Sequence, residues 1–109
     1  AGVGTKVVYE DDKIKVWEFE LAPGERTQLH THELEYMFYV ISGTTLEVFD
    51  ADNRQLPSLE LEDGDVVSLR IEEDDLVVVG DESLRVPVTH SARNGGTGVY
   101  RELLVEKKA

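Results

Sequence analysis

Apolar and polar residues alternate along most of this chain with a period of two, in short runs separated by Gly, Pro, Asn and Asp, a pattern that predicts strands. Lys6–Glu10 (KVVYE) reads as a first short strand. In Lys13–Leu21 (KIKVWEFEL) the apolar phase runs through Ile14 and Val16, then restarts at Trp17, Phe19 and Leu21. That shift predicts a bulge or bend at which the strand passes from one sheet's core face to another. Trp17 is expected in the core, with a ligand pocket as the other place for it. Met37–Ile41 (MFYVI) is apolar without interruption, as in a strand covered on both faces, and a partner subunit is one way to cover the second.

Further strands are expected at Thr45–Phe49, Leu56–Glu62 and Val66–Ile71, with Leu76–Val79 and Leu84–His90 as hairpin arms about a Gly80–Ser83 turn. Val99–Glu106 has mixed periodicity, but Val99, Arg101, Leu103 and Val105 alternate, and it is read as the final strand. Turns fall at Ala22-Pro23-Gly24-Glu25, with Pro and Gly placed for a type II turn, at Asp50–Asn53, at the acidic block Glu72–Asp75, and at Asn94-Gly95-Gly96. The Asp50–Asn53 loop lacks the glycine of a calcium-binding EF-hand, and Leu61 stands where its distal glutamate would fall. Many short strands with regular turns point to an all-β sandwich or barrel, and nothing divides residues 1–109 into more than one domain.

The candidate chemistry is concentrated between Gly24 and Gly43 (GERTQLHTHELEYMFYVISG). His30 and His32 flank Thr31 on what reads as a strand, so both imidazoles project from one face. Neutral imidazoles bind zinc, iron, nickel or copper in sites of three or four ligands, and His90, the only other histidine, is the candidate third. Because the ring must be neutral to bind, affinity is expected to fall below about pH 6. Gln28 shares the parity of His30 and His32, which allows it to face the site and orient substrate; a plain surface position is the other reading.

This spacing resembles the first motif of the cupin superfamily, Gly-x5-His-x-His-x3,4-Glu-x6-Gly, and His90-Ser91-Ala92-Arg93-Asn94 resembles the His-x3-Asn end of the second. Gly64-Asp65 before a strand is a further likeness. The resemblance implies a cupin jelly roll. It also implies a glutamate ligand, but counting back from Gly43 that position holds Tyr36, with Glu35 one residue earlier. One residue along a strand reverses the face, so Glu35 is expected to point away unless a bulge brings it in, and Tyr36 to take the inward place. Pro87 stands closer to His90 than the second motif has it, with no glycine between them, and the chain before His90 is longer than the minimal pattern, consistent with an added hairpin at the site's mouth.

Composition narrows the partners. Twenty-three acidic against eleven basic residues give a net charge of −12, which opposes binding to nucleic acid and to anionic membranes. No apolar run approaches the ~20 residues of a membrane helix. Zero cysteines exclude disulfides and thiolate ligands. The compartment stays open on that ground, with cytoplasmic the default; a chain beginning at Ala1 is compatible with a removed leader. A homodimer acting on a small molecule is expected.

In cupins that look similar, three-histidine ferrous sites carry out dioxygenase chemistry. The resemblance therefore implies a mononuclear non-haem iron dioxygenase with His30, His32 and His90 as ligands and Tyr36 and Gln28 orienting substrate or oxygen. Two alternatives stand beside it: a zinc, nickel or manganese Lewis-acid isomerase, lyase or decarboxylase, and a non-enzymatic cupin that binds a sugar or other small molecule.

Overall fold

The β-branched and aromatic runs pair into antiparallel ladders throughout the computed structural model, which describes residues 5–108. The strands are β1 (Lys6–Glu10), β2 (Ile14–Leu21), β3 (His30–Thr31), β4 (Tyr36–Ser42), β5 (Thr45–Phe49), β6 (Gln55–Glu60), β7 (Val66–Glu72), β8 (Asp75–Val78), β9 (Asp81–Pro87), β10 (Thr89–Asn94) and β11 (Tyr100–Lys107). They form a seven-stranded sheet, β1-β2-β11-β4-β7-β8-β9, and a four-stranded sheet, β3-β10-β5-β6. The fold is the expected all-β jelly roll. Among the described residues no helix is long and apolar enough to cross a membrane.

Period-two burial makes the core. Phe19 and Leu21 of β2, Tyr36, Phe38 and Val40 of β4, Leu69 of β7, Leu76 of β8 and Tyr100 and Leu104 of β11 meet Leu46 from the opposite sheet. Each such buried side chain contributes about 1.5–3 kcal/mol of transfer free energy. In β4 the alternate residues Met37, Tyr39 and Ile41 are exposed, so this chain covers its apolar run on one face only.

The phase shift at Val16/Trp17 has a structural counterpart, placed differently from the expectation. The irregularity lies in β1, where pairing jumps from Val7 opposite Trp17 to Tyr9 opposite Val16. β2 itself stays in the seven-stranded sheet and does not pass to the other one, because β11 holds it in unbroken register from Tyr100↔Leu21 to Lys107↔Ile14. Trp17 packs against the core, and its indole N–H donates to Glu106 Oε1 at 2.6 Å.

The segment before His90 also differs. The strand expected from Leu84 to His90 is broken at Val88: β9 pairs with β8 in the large sheet, whereas β10 pairs with β3 and β5 in the small one. β9 begins at Asp81, so the turn before it is tighter than expected and centres on Gly80 at φ +94°. Val88 makes the crossing, donating its N–H to Asp74 O and accepting from His32 N–H, each at 2.9 Å. Asn94, expected in a turn, ends β10 fully buried. Its Nδ2 donates to Leu21 O (3.0 Å) and Gly98 O (2.7 Å), and its Oδ1 accepts from Gly96 N–H (2.9 Å).

Two of the turns, at Pro23–Gly24 and at the acidic block, follow the expected chemistry. Glu25 N–H donates to Ala22 O at 2.9 Å across Pro23 and Gly24, with Gly24 at φ +82°. The acidic block closes the β7–β8 hairpin, and its end residues pair with arginines: Glu72 with Arg70 and Arg85, Asp75 with Arg85.

Gly43 joins β4 to β5 where another loop lies directly against it, and a Cβ there would overlap the Leu61 carbonyl and the Glu62 backbone. Backbone cannot rotate aside as a side chain can. Gly43→Ala should therefore cost about 1–3 kcal/mol, read as a lower urea midpoint at unchanged slope. An unchanged midpoint would mean that the loop from Leu61 yields freely.

Candidate metal centre

Three strand ends bring the histidines together. The β10–β3 ladder pairs His90 directly with His30, and the bond from His32 N–H to Val88 O extends the same edge by one residue, so His32 joins them. β3 spans only His30–Thr31, yet this hydrogen bond keeps residue 32 extended and its side chain on the face of His30. Thr31, between them, is exposed and bonds Thr89 through their hydroxyls at 2.8 Å.

All three rings are buried, and one nitrogen from each lies within 4.8 Å of the others. Ring centroids stand 5.0 Å (His30–His32), 4.8 Å (His30–His90) and 5.1 Å (His32–His90) apart. An ion about 2.1 Å from each nitrogen, with ligand angles near about 100°, sets such centroids about 5 Å apart. The donor set fits a transition ion.

Hydrogen bonding selects the tautomer. His30 Nδ1 lies 2.9 Å from Gln28 O and His90 Nδ1 2.7 Å from Pro87 O. A carbonyl only accepts, so each Nδ1 carries the proton and each Nε2 keeps the lone pair that a metal needs. His32 Nδ1 is buried without a partner among the described residues. Burial also keeps the rings neutral. It lowers the pKa of His30 against the opposing pull of the Gln28 carbonyl, pushes His90 down to about 4, and, with the neighbouring His90 and His30, pushes His32 down to about 2.

Tyr36 lies flat on His32, with ring centroids 4.4 Å apart and planes 16° from parallel. Its phenol is held protonated by burial and by the nearby Glu102 and Glu106. Glu35 points elsewhere: its Oε2 accepts from Ile71 N–H at 3.0 Å. No carboxylate joins the histidine cluster among the described residues. Gln28 is exposed and does not line the cavity, so its side chain takes the surface position, the other of the two readings of its parity. Regular strand begins only at His30, so the parity does not reach back, and the contribution of Gln28 is its carbonyl.

The histidines and Tyr36 open into a cavity of about 550 Å³, within the range of small-molecule sites. Its walls are chiefly apolar, among them Phe19, Phe38, Leu46, Leu69 and Leu104, with Ser58, Glu60, Ser83 and Arg85 contributed by β6 and β9. The two strands lie at the edges of different sheets, so the hairpin before His90 does border the cavity. Sequence reasoning missed Glu102, a buried carboxyl on the cavity wall. The available signal was its parity with Tyr100, Leu104 and Glu106 on β11.

Solved structures with the same fold are numerous. A cupin domain from Bordetella pertussis superposes with TM-score 0.69 at 19% identity, covering 95% of this chain and 91% of that one. A double-stranded β-helix protein from Klebsiella pneumoniae gives TM-score 0.59 at 19% identity over 94% of this chain and 73% of the other. The polyketide cyclase RemF from Streptomyces resistomycificus gives 0.53 at 22% over 91% and 57%. No curated protein matches the sequence. The family model of the cupin domain, Cupin_2, matches residues 17–105, a span that contains both histidine strands, Tyr36 and the cavity walls; the chain belongs to the cupin family.

Proposed function

We propose that this cupin is a metal-dependent enzyme in which His30, His32 and His90 hold one divalent transition ion, iron by preference, for the oxygenation of a small organic metabolite. The observation that carries the reading is the tautomer lock: two backbone carbonyls leave Nε2 of His30 and His90 free beside His32, at the wall of a mainly apolar cavity. A ferrous ion with three neutral ligands supplies dioxygenase chemistry and retains the charge to attract an anionic or enolate-forming substrate. The protein's own part is positioning. The histidines present their lone pairs without rearrangement, Tyr36 keeps its proton to donate a hydrogen bond into the cavity, and the Phe19, Phe38 and Leu104 walls keep water away.

A second reading is a zinc, nickel or manganese Lewis-acid isomerase, lyase or decarboxylase. Glu102 favours it: burial pushes this carboxyl up to about 7, against the Tyr100 hydroxyl bond that opposes the shift, and such a group transfers protons near neutrality.

Elemental analysis of purified protein should find close to one transition ion per chain. His32→Ala should lose most of it, whereas Glu35→Gln, bonded only to Ile71 N–H, should keep it; equal metal in wild type and His32→Ala removes the assignment. With ferrous iron and a panel of diketones and 2-hydroxy acids, oxygen uptake should accompany turnover. Turnover that continues without oxygen selects the Lewis-acid reading, and ligand stabilisation without turnover selects a binding protein.

Burial moves the acid limit of metal binding below the pH 6 expected of free imidazole. Three unshifted rings would lose about a thousandfold in affinity between pH 7.5 and 5.5. With His90 near 4 and His32 near 2, protons compete only below that window, and the expected loss is under about tenfold, set by His30. Zinc titrations at the two pH values check it, and a thousandfold loss would show the rings solvated in the metal-free protein.

A further inference from the structure

β11 turns Tyr100, Glu102, Leu104 and Glu106 inward. Two of these four are carboxylates buried in a largely apolar interior, where an unpaired charge is costly. Glu106 has a strong partner in the Trp17 indole. Glu102 is only half satisfied. The Tyr100 hydroxyl donates to its Oε1 at 2.5 Å, but Oε2 receives no hydrogen bond from any described residue. Oε2 is also not sealed in as an orphan: the buried polar atoms without partners are represented by His32 Nδ1 alone among the described residues. The whole residue is 5% exposed and lines the cavity, which leaves Oε2 available to a molecule bound there.

Glu102 is not among the residues that gather with the histidines, and its place on the sheet is offset from that of Tyr36. Glu102 pairs across the sheet with Val40 and Phe19, whereas the Tyr36 that stacks on His32 pairs with Glu106. Three residues of strand lie between the two points, a rise of about 13 Å at Cα. The wall between them is Phe38 and Leu104. Tyr36 Oη likewise takes no protein partner among the described residues and is not sealed off, so the cavity offers an unsatisfied acceptor and an unsatisfied donor beyond the histidines.

We infer that Glu102 is a ligand-binding residue that receives a hydroxyl or amine N–H of a flat, mainly apolar molecule lying along the Phe38–Leu104 wall. The substrate class is thus an aromatic or otherwise apolar alcohol or amine, recognised by its donor group at a point independent of the metal. This refines the proposed function and rests on the cavity being its substrate site, while leaving open which ion the histidines hold. The Tyr100 bond orients the carboxylate, so that Oε2 is presented without reorganisation. A leucine at this position would fill the wall and abolish the acceptor. A glutamine would keep the Tyr100 bond through its oxygen and turn N–H donors toward the cavity.

Three probes built on one naphthalene ring test this: 2-naphthalenemethanol, which donates and accepts; 2-acetonaphthone, which only accepts; and 2-methylnaphthalene, which does neither. Calorimetry of the metal-loaded protein at pH 8.5 keeps Glu102 mainly ionised. The alcohol should bind wild type at least tenfold more tightly than the hydrocarbon and the ketone. In Glu102→Leu its advantage should shrink to within threefold. In Glu102→Gln the ketone should gain at least fivefold over its wild-type affinity, and this inversion decides the matter even if the leucine variant folds poorly. Equal binding of alcohol and hydrocarbon to wild type, an alcohol preference surviving in Glu102→Leu, or no binding of any probe overturns the inference. Repeating the series in His32→Ala separates the two claims, since a donor preference that persists there is independent of the metal.

Discussion

The pairing of His90 with His30 across the β10–β3 ladder is the constraint from which the rest of the site follows. Residues 60 apart in the chain are set side by side by backbone hydrogen bonds, and side chains on one face of such a ladder stand close enough to share a ligand. The pairing depends on β10 leaving the large sheet at Val88. Had β9 continued to residue 90 in the large sheet, His90 would run past the start of β8, beside the β7–β8 turn and away from β3. The Val88 backbone bonds both sides of this step, to Asp74 and to His32, and thereby ties the crossing itself to the third histidine. Asn94 fastens the other end of β10 by three bonds to Leu21, Gly98 and Gly96. Its place in the His-x3-Asn string is therefore structural: it holds the strand that carries His90.

A second layer of interactions turns proximity into chemistry. Burial disfavours charge on all three imidazoles and lowers all three pKa values, and neighbouring rings add to this at His32 and His90. Neutrality alone leaves the tautomer open. The carbonyls of Gln28 and Pro87 decide it for two rings, Gln28 lying just before β3 and Pro87 at the last position of β9. Short β3 and the break at Val88 thus serve two purposes, supplying acceptors and positioning ligands.

The sequence made the histidine cluster legible because two ligands lie two residues apart on one strand and the chain holds only one more histidine. It also placed Glu35 correctly outside, since strand parity is a strict rule once Tyr36 is inward. Parity failed for Gln28 because it was extended beyond the end of a strand. It misled most on β11. There the apolar alternation runs through Leu103 and Val105, which are only partly buried, while the face that carries Glu102 and Glu106 is the interior one. Polarity patterns assume that carboxylates face water. Here Tyr100 and Trp17 supply hydrogen bonds from positions 2 and 89 residues away, and only the fold reveals the second of these. The sheet crossing at Val88 was equally hidden, because LRVPVTH alternates without interruption and the change of partner leaves no mark on the pattern.

The two buried polar groups of the cavity oppose each other in their response to pH. The histidines have folded pKa values below the 6.5 of free imidazole, so their contribution to stability is complete above 6.5 and is lost as pH falls and the unfolded chain takes up protons first. Glu102 has a folded pKa near 7, above its reference of 4.5, so its contribution is complete below 4.5 and is lost as pH rises through 7. Near neutrality the histidines have reached their full contribution in the empty cavity, whereas Glu102 has lost most of its own. A metal ion occupies the lone pairs that protons would otherwise take, which relieves the acid side; a donor from the ligand meets the ionised Oε2, which relieves the alkaline side. Each unfinished interaction in the protein is therefore the complement of a different part of what the cavity binds, and the interior polarity that lowers the stability of the empty fold is the same polarity that gives the cavity its selectivity.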